Sequence, residues 1–253
     1  MSLEIVTLPC LSDNYAYLLH DAESSATAVV DVPDAAPIRD ALADRGWTLS
    51  DILITHHHYD HVDGVEELRA ETGAKVTGAA ADAHRLPKLD RAVAEGDTVA
   101  VGGVEGQVLD VSGHTMGHIA FVFPGAAFTA DSLMALGCGR LFEGDAETMW
   151  ASLTKLAALP EDTLVYSGHE YTAANGRFAV TVDPDNAALR ARIKDVARAR
   201  AAGEPTVPSA LSLEKATNPF LRATAPDVKA AVGMAAAPDA EVFAEIRRRK
   251  DSF

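Results

Sequence analysis

The sequence predicts an α+β fold in which two packed β-sheets carry helices on their outer faces and a helical domain follows. Three observations predict it. First, short apolar, β-branched runs followed by helical stretches occur in each of two halves, one around residues 56–61 and one between His114 and His169. Strands and helices so ordered bury their apolar sides in layers. Second, strand signal nearly vanishes over residues 173–253. Third, the chemistry-bearing residues fall just after strand-like runs, where a rigid base fixes their direction. The expected domains are therefore 1–172, strand-rich and holding the chemistry-bearing residues, and 173–253, helical.

In chain order, Ile5-Val6-Thr7-Leu8, Tyr15–Leu19 and Thr27–Val32 read as strands of an antiparallel meander, with Asp13-Asn14 and 21–25 as turns. Pro37–Arg45 reads as a helix ended by Gly46. Ile52-Leu53-Ile54 is a buried strand. Val65–Glu71 is a helix closed by Gly73, and Ala74–Gly78 is a strand. Residues 79–97 are mixed, with a short helix over Ala79–His84. Strands follow at Thr98–Val101 and Glu105–Val111, joined by Gly102-Gly103, and at Ile119–Phe123 and Ala127–Thr129. Ala146–Ala158 is a helix and Thr163–Tyr166 a strand. Beyond them come a helix over Asp185–Ala202 capped by Asp185, a Pro-rich connection through Pro205 and Pro208, a short helix near Leu211–Ala216 and a basic-ended helix over Glu241–Lys250. No solenoid-period repeat is present; a distant duplication of the two strand-rich halves stays open.

Composition narrows the function classes. A chain of 253 residues with 48% apolar content can bury a sizeable core. Lys plus Arg is 22 against 37 Asp plus Glu, a net charge of −15, which disfavours nucleic acid as a partner. Two cysteines, Cys10 and Cys138, imply no disulfide framework. The start Met1-Ser2-Leu3-Glu4-Ile5 lacks a leader's basic and apolar regions, and no run approaches the ~20 apolar residues of a membrane span. A cytoplasmic protein without a membrane partner is expected.

Thr55-His56-His57-His58-Tyr59-Asp60-His61 reads T-H-x-H-x-D-H directly after a strand. Imidazole and carboxylate are the ligands of zinc and similar divalent ions. A solvated His-rich loop is the plain alternative. It is weakened by the embedded Asp60 and by three further candidates, His114, Asp131 and His169, each after another strand-like run. Five imidazoles and two carboxylates are too many for one ion and suit two ions sharing a carboxylate. Side chains two apart on an extended chain point the same way. His56 and His58 then chelate one ion with His114, Asp60 and His61 face the second with His169, and Asp131 bridges. His57 is expected to point away and His118 to shape its loop, while His20 and His84 carry no signal.

These residues resemble a family. The T-H-x-H-x-D-H segment, Ser112-Gly113-His114-Thr115-Met116-Gly117-His118, the aspartate after Phe128-Thr129, and Gly168-His169-Glu170-Tyr171 are similar to the metallo-β-lactamase superfamily over residues 1–172. Gly137-Cys138-Gly139-Arg140, Asn218-Pro219-Phe220-Leu221-Arg222 and Arg247–Phe253 narrow the resemblance to the glyoxalase II hydrolases. The resemblance implies an αββα sandwich over 1–172 as the metal-binding catalytic domain, a C-terminal helical domain over 173–253 that binds substrate, and two divalent metal ions, zinc first with iron or manganese compatible. It implies hydrolysis of S-D-lactoylglutathione, a 2-hydroxyacylglutathione, to glutathione and D-lactate in methylglyoxal detoxification. Arg140, Tyr171, Arg247 and Lys250 would contact the glutathione, and Phe142 stands where many relatives carry a tyrosine, which implies weaker binding. Taken alone, Arg247–Lys250 reads rather as a solvated helix end.

The expected mechanism is attack by metal-bound hydroxide on the thioester carbonyl, with Asp60 and Asp131 as the catalytic carboxylates orienting it. A thiol with a pKa near ~8.5 leaves readily, and Cys138 is not expected to act as nucleophile. A monomer is expected. The rival readings are another hydrolase on the same scaffold, a general thioesterase, lactonase, β-lactamase or iron persulfide dioxygenase, or a metal-binding protein without turnover.

Overall fold

The computed structural model describes residues 3–253; Met1 and Ser2, where the leader reading begins, lie outside the described residues. The chain forms two compact units, Met1–Val111 with Met116–Thr129, and Ser112–Thr115 with Ala130–Phe253.

The first unit contains a six-stranded sheet whose strands run in chain order: β1 (Glu4–Cys10), β2 (Asn14–Asp21), β3 (Ala26–Val30), β4 (Leu49–Leu53), β5 (Lys75–Ala79) and β6 (Arg91–Val93). The expected meander is there: β1–β2 and β2–β3 pair antiparallel. From β3 onward the pairs are parallel. Parallel neighbours need a crossover. Helix α1 (Ala35–Arg45) supplies it between β3 and β4; a short α2 (Tyr59–Val62) and then α3 (Val65–Thr72) supply it between β4 and β5. The Asp34 carboxylate accepts from the Ala36 amide and so starts α1 two residues before the expected Pro37; Gly46, at φ 66°, ends it. The short helix expected over Ala79–His84 is a single 3-10 turn, Ala80–Asp82.

A second layer in this unit runs β7 (Thr98–Val101), β8 (Val104–Asp110), β9 (Ile119–Phe123) and β10 (Ala126–Ala130), all antiparallel. The rings of Tyr17 on β2 and Phe128 on β10 lie 5.6 Å apart, so the two layers face each other across an apolar core. Strand β2 is buried on both faces, whereas β7 alternates buried and exposed residues as an edge strand does.

The second unit begins its regular structure with a hairpin, β11 (Leu133–Met134) and β12 (Gly137–Cys138), followed by α4 (Ala146–Ala157) and β13 (Leu164–Ser167). Then come α5 (Thr172–Val182), α6 (Ala187–Ala201), β14 (Ser209–Ala210), α7 (Leu211–Thr217), α8 (Pro226–Ala231) and α9 (Asp239–Asp251). Phe178, Phe220 and Phe243, all buried, pack in series with centroids about 6 Å apart, the first pair stacked and the second edge-on, and contribute to its core. The cap of α6 is a correction. Asn186 Oδ1 accepts from the Leu189 amide at 3.0 Å, whereas the expected Asp185 points to solvent and pairs with Arg190. No helix among the described residues is long and apolar enough to cross a membrane.

Candidate metal centre

In the first unit the ligand loop is built on an aspartate that sequence reading passed over. Asp31 follows β3 at φ 57°, a left-handed conformation that few residues besides glycine, asparagine and aspartate tolerate. Its Oδ1 accepts from the Thr55 amide at 2.9 Å and its Oδ2 from the Thr55 hydroxyl at 2.8 Å. The same Oδ2 lies 2.8 Å from His61 Nδ1. A carboxylate accepts, so His61 carries its hydrogen on Nδ1 and presents Nε2 as the ligand atom. Thr55 has one hydroxyl hydrogen and gives it to Asp31, so its oxygen accepts from His56 Nδ1 at 3.0 Å. That leaves His56 Nε2 in the same state. Ligand atoms of Asp31, His56 and His61 all lie within 4.8 Å of one another. Both oxygens of Asp31 are nonetheless committed to Thr55 and His61, which makes it a brace for the ligands.

The loop is extended through His58 (φ −61°, ψ 141°) and then turns into α2. Asp60 and His61 are thus presented from a helical turn, not from the extended segment of the sequence expectation. Asn14 Nδ2 donates to both the carbonyl (2.9 Å) and the carboxylate (3.0 Å) of Asp60, aiming Oδ2 to 3.8 Å from His61 Nε2. His57 points away, as expected, with Nδ1 3.0 Å from Asp82 Oδ2. His118 bonds the Ile119 carbonyl through Nδ1 and stacks on the His56 ring at 4.5 Å, so it supports the loop.

In the second unit His114, Asp131 and His169 meet. Asp131 Oδ2 lies 3.4 Å from His114 Nε2 and 3.4 Å from His169 Nε2. Two ligand atoms each about 2.1 Å from one ion, at a tetrahedral angle, stand about 3.4 Å apart. One carboxylate oxygen equidistant from two imidazole nitrogens leaves room for ions on both sides of it. The residues fit divalent metal.

Backbone positions enforce this geometry. Ala130, just before Asp131, has φ 40°, and its carbonyl accepts from the Gly168 amide at 3.0 Å, which brings the His169 segment alongside. The His114 Nδ1–H donates to the Arg140 carbonyl at 2.8 Å. A Cβ on Gly139 would stand 2.0 Å from the Asp131 carbonyl oxygen and 2.8 Å from His114 Nδ1, so only glycine fits there. Phe142, 62% exposed, packs edge-on against His114, and Tyr171 stacks on His169 at 4.6 Å.

The remaining residues expected at the substrate divide in two. Arg140 and Tyr171 are exposed. Arg247 is buried: Nη1 donates to the Cys138 carbonyl at 3.0 Å, Nη2 to Asp251 at 2.7 Å, and the guanidinium covers the Phe220 ring. Lys250 lies against the rings of Phe178 and Phe253. Burial pushes the Cys138 thiol up to about 11. Asn218 donates to the Met134 and Gly137 carbonyls, both at 3.0 Å, and so clamps the β11–β12 hairpin. Beside it the buried Glu214 accepts from the Leu136 amide, Asn218, Ser209 and Arg192.

The metallo-beta-lactamase superfamily model matches residues 14–169, and the model for the hydroxyacylglutathione hydrolase C-terminus matches residues 170–253. The hydroxyacylglutathione hydrolase of Cereibacter sphaeroides (strain ATCC 17023) is 67% identical over 255 residues, covering all of both chains. The chain belongs to the hydroxyacylglutathione hydrolase family of the metallo-β-lactamase superfamily. The family member from Ruegeria pomeroyi is 65% identical over 100% of both chains, and that from Methylococcus capsulatus 55% over 99% of each. Among solved structures, ETHE1 from Myxococcus xanthus superposes with TM-score 0.68 at 26% identity, covering 98% of this chain and 90% of that one. TTHA1623, solved in a di-iron-bound form, gives 0.61 at 27% identity over 86% of this chain and 100% of its own. The fold is thus the α+β metallo-β-lactamase-like αββα sandwich with the family's helical C-terminal domain.

His56 and His61 meet at Asp31 in the first unit, and His114, Asp131 and His169 meet in the second. Sequence reading missed Asp31, Thr55, Glu214 and the packing role of Asn218. Asp31 lies 24 residues from Thr55, and only the parallel pairing of β3 with β4 brings the two together.

Proposed function

We infer that this hydroxyacylglutathione hydrolase family member hydrolyses S-D-lactoylglutathione, a 2-hydroxyacylglutathione, to D-lactate and glutathione. The observation that carries the reading is the 67% identity to a hydroxyacylglutathione hydrolase over the whole of both chains. A lactonase, a general thioesterase or a metal-binding protein without turnover would not need the C-terminal domain that matches this family at residues 170–253.

We assign His56, His58 and His114 to one metal ion and Asp60, His61 and His169 to the other, with Asp131 shared. Zinc suits this donor set, and iron and manganese are the alternatives. When bound, the ions supply Lewis acidity that polarises the thioester carbonyl and makes water acidic enough to react at neutral pH. Asp60 and Asp131 orient the attacking water, and the Asp60 carboxylate takes its proton. The water oxygen bonds to the carbonyl carbon, the C–S bond breaks, and the thiol departs as thiolate without a dedicated acid because its pKa is near ~8.5. Arg140 and Lys250 meet the carboxylates of the glutathione half, with Arg247 adding charge from beneath. Tyr171 and Phe142 flank the peptide; phenylalanine offers no hydroxyl, which weakens binding without abolishing it.

We further propose that residues 1–172 carry the chemistry and 173–253 recognise the thiol half, and that the protein acts as a cytoplasmic monomer without nucleic-acid or membrane partners. The net charge of −15 supports the absence of a nucleic-acid partner. The test is hydrolysis of S-D-lactoylglutathione by the metal-loaded protein, with metal analysis of wild type and His114→Ala. Wild type is expected to turn over with two ions bound, and the variant to lose both metal and rate. A metal-loaded wild type that leaves S-D-lactoylglutathione intact while cleaving a lactone would overturn the assignment.

A further inference from the structure

We propose that Arg177 is a specificity-determining residue for the same reaction, joining Arg140 and Lys250 in recognising the carboxylates of the substrate's thiol half. The proposal rests on the function inferred above and adds a residue to it. Arg177 is exposed on α5, immediately before Phe178, whose ring lies 5.4 Å from the Lys250 ammonium.

Other arginines at the surface of this acidic chain find partners: Arg39 pairs with Glu67 and Glu71, Arg69 with Asp90, Arg190 with Asp185 and Arg248 with Glu245, while Arg45 and Arg91 donate to the Ala41 and Thr98 carbonyls. Arg140 and Arg177 have no side-chain hydrogen bond or ion pair among the described residues, and Lys250 has only its two aromatic faces. Arg247, the fourth cation of the group, is committed to Asp251 and the Cys138 carbonyl. The Lys250 ammonium therefore titrates below the usual lysine range. Its desolvation contributes most, followed by the repulsion of Arg247, Arg177 and Arg140. Like charges left together and unpaired in a protein of net charge −15 destabilise one another until an anion arrives. The thiol half of the substrate carries two carboxylates, and two open guanidinium forks with an ammonium match them. Sequence reading had no means of finding Arg177, because no spacing rule links it to Arg140 or Lys250.

The test compares full-length, metal-loaded wild type with Arg177→Gln, Arg177→Glu and Arg177→Lys on two substrates. One is S-D-lactoylglutathione; the other is the D-lactoyl thioester of N-acetylcysteamine, which has no carboxylate. Arg177→Gln is expected to raise KM for the glutathione thioester about three- to tenfold with kcat unchanged, the scale of one charge-assisted hydrogen bond at a partly exposed site. Arg177→Glu should raise it further, Arg177→Lys should restore most of it, and the salt dependence of KM should flatten in the Gln variant. KM for the neutral thioester should stay unchanged in all three. If wild type processes S-D-lactoylglutathione and the Gln and Glu variants match it in KM and salt dependence, Arg177 has no such role. Equal losses on both substrates would overturn it as well, by showing a structural effect. A wild type that cleaves only the neutral thioester would instead remove the functional reading, and this proposal with it.

Discussion

Asp31 illustrates how a residue outside the ligand set can decide the chemistry of that set. It holds Thr55 twice and His61 once, and through Thr55 it sets the tautomer of His56. Replacing it with alanine leaves three buried donors without their acceptor, a loss of about 3 kcal/mol or more. Asp31→Ala should therefore lower the urea midpoint and bind fewer metal ions per chain by elemental analysis; a variant with full metal content would sink this reading. Gly139 acts through sterics alone. A single methyl there would collide with the Asp131 carbonyl and the His114 ring, so Gly139→Ala is expected to lose turnover by at least about tenfold, a barrier change of only ~1.4 kcal/mol. Cys138 is the contrary case. Its native pKa near 11 lies above that of an unfolded thiol, so the neutral thiol predominates at pH 8 and any stability linked to it fades only as pH climbs past the unfolded value toward 11. Native protein at pH 8 should react slowly with a disulfide reagent at Cys138 and quickly once unfolded in urea, and Cys138→Ser should keep most of its activity.

Among the elements, the β11–β12 hairpin does the most positioning for its size. It carries Gly139 and Arg140 into place, and the Arg140 carbonyl orients His114. The hairpin is too short to hold its own shape. Asn218 and Glu214 from the α7 region hold it through the Met134 and Gly137 carbonyls and the Leu136 amide. The Asn218-Pro219-Phe220-Leu221-Arg222 segment, which helped narrow the resemblance to the glyoxalase II hydrolases, thus contains a clamp in Asn218 and a core ring in Phe220. Asn218→Ala should cost about 2–4 kcal/mol in urea unfolding, the loss of two buried hydrogen bonds with their carbonyls left unmatched. It should also lower kcat and raise KM together, since the hairpin carries both the Arg140 carbonyl that orients His114 and the Arg140 side chain assigned to the peptide. An unchanged kcat in a folded variant would show the hairpin to be self-supporting. Helix α5 teaches a related lesson. Gly176 and the β-branched Thr181 and Val182 make it a poor isolated helix, yet Gly176 permits close approach to Ile193 on α6 and the packing secures it.

At the scale of the whole chain, metal is expected to stabilise the native state as well as to supply the chemistry. An ion that binds only the folded protein stabilises it by about 2.7 kcal/mol at a hundredfold excess over its Kd. Dialysis against a chelator should abolish thioester hydrolysis and lower the melting temperature, and zinc added back should restore both. Retention of full activity after complete stripping, checked by elemental analysis, would refute metal-assisted hydrolysis here.

Much of the proposed ligand set was legible because metal chemistry admits few residue types, and strands deliver them at fixed places. His56, His58, Asp60, His61, His114, Asp131 and His169 stand after apolar runs that could hardly be anything but strands or their immediate ends. The meander, the glycine-ended helices and the absence of long strands after residue 172 follow from local rules of propensity and capping, which act over a few residues. Tertiary structure alone decided the rest. The parallel pairing of β3 and β4 sets Asp31 under Thr55, the Asn218 clamp shapes the hairpin, and packing leaves Arg177 and Arg140 open while Arg247 is consumed. Those outcomes depend on which distant residues become neighbours, and a linear pattern carries no distance between them.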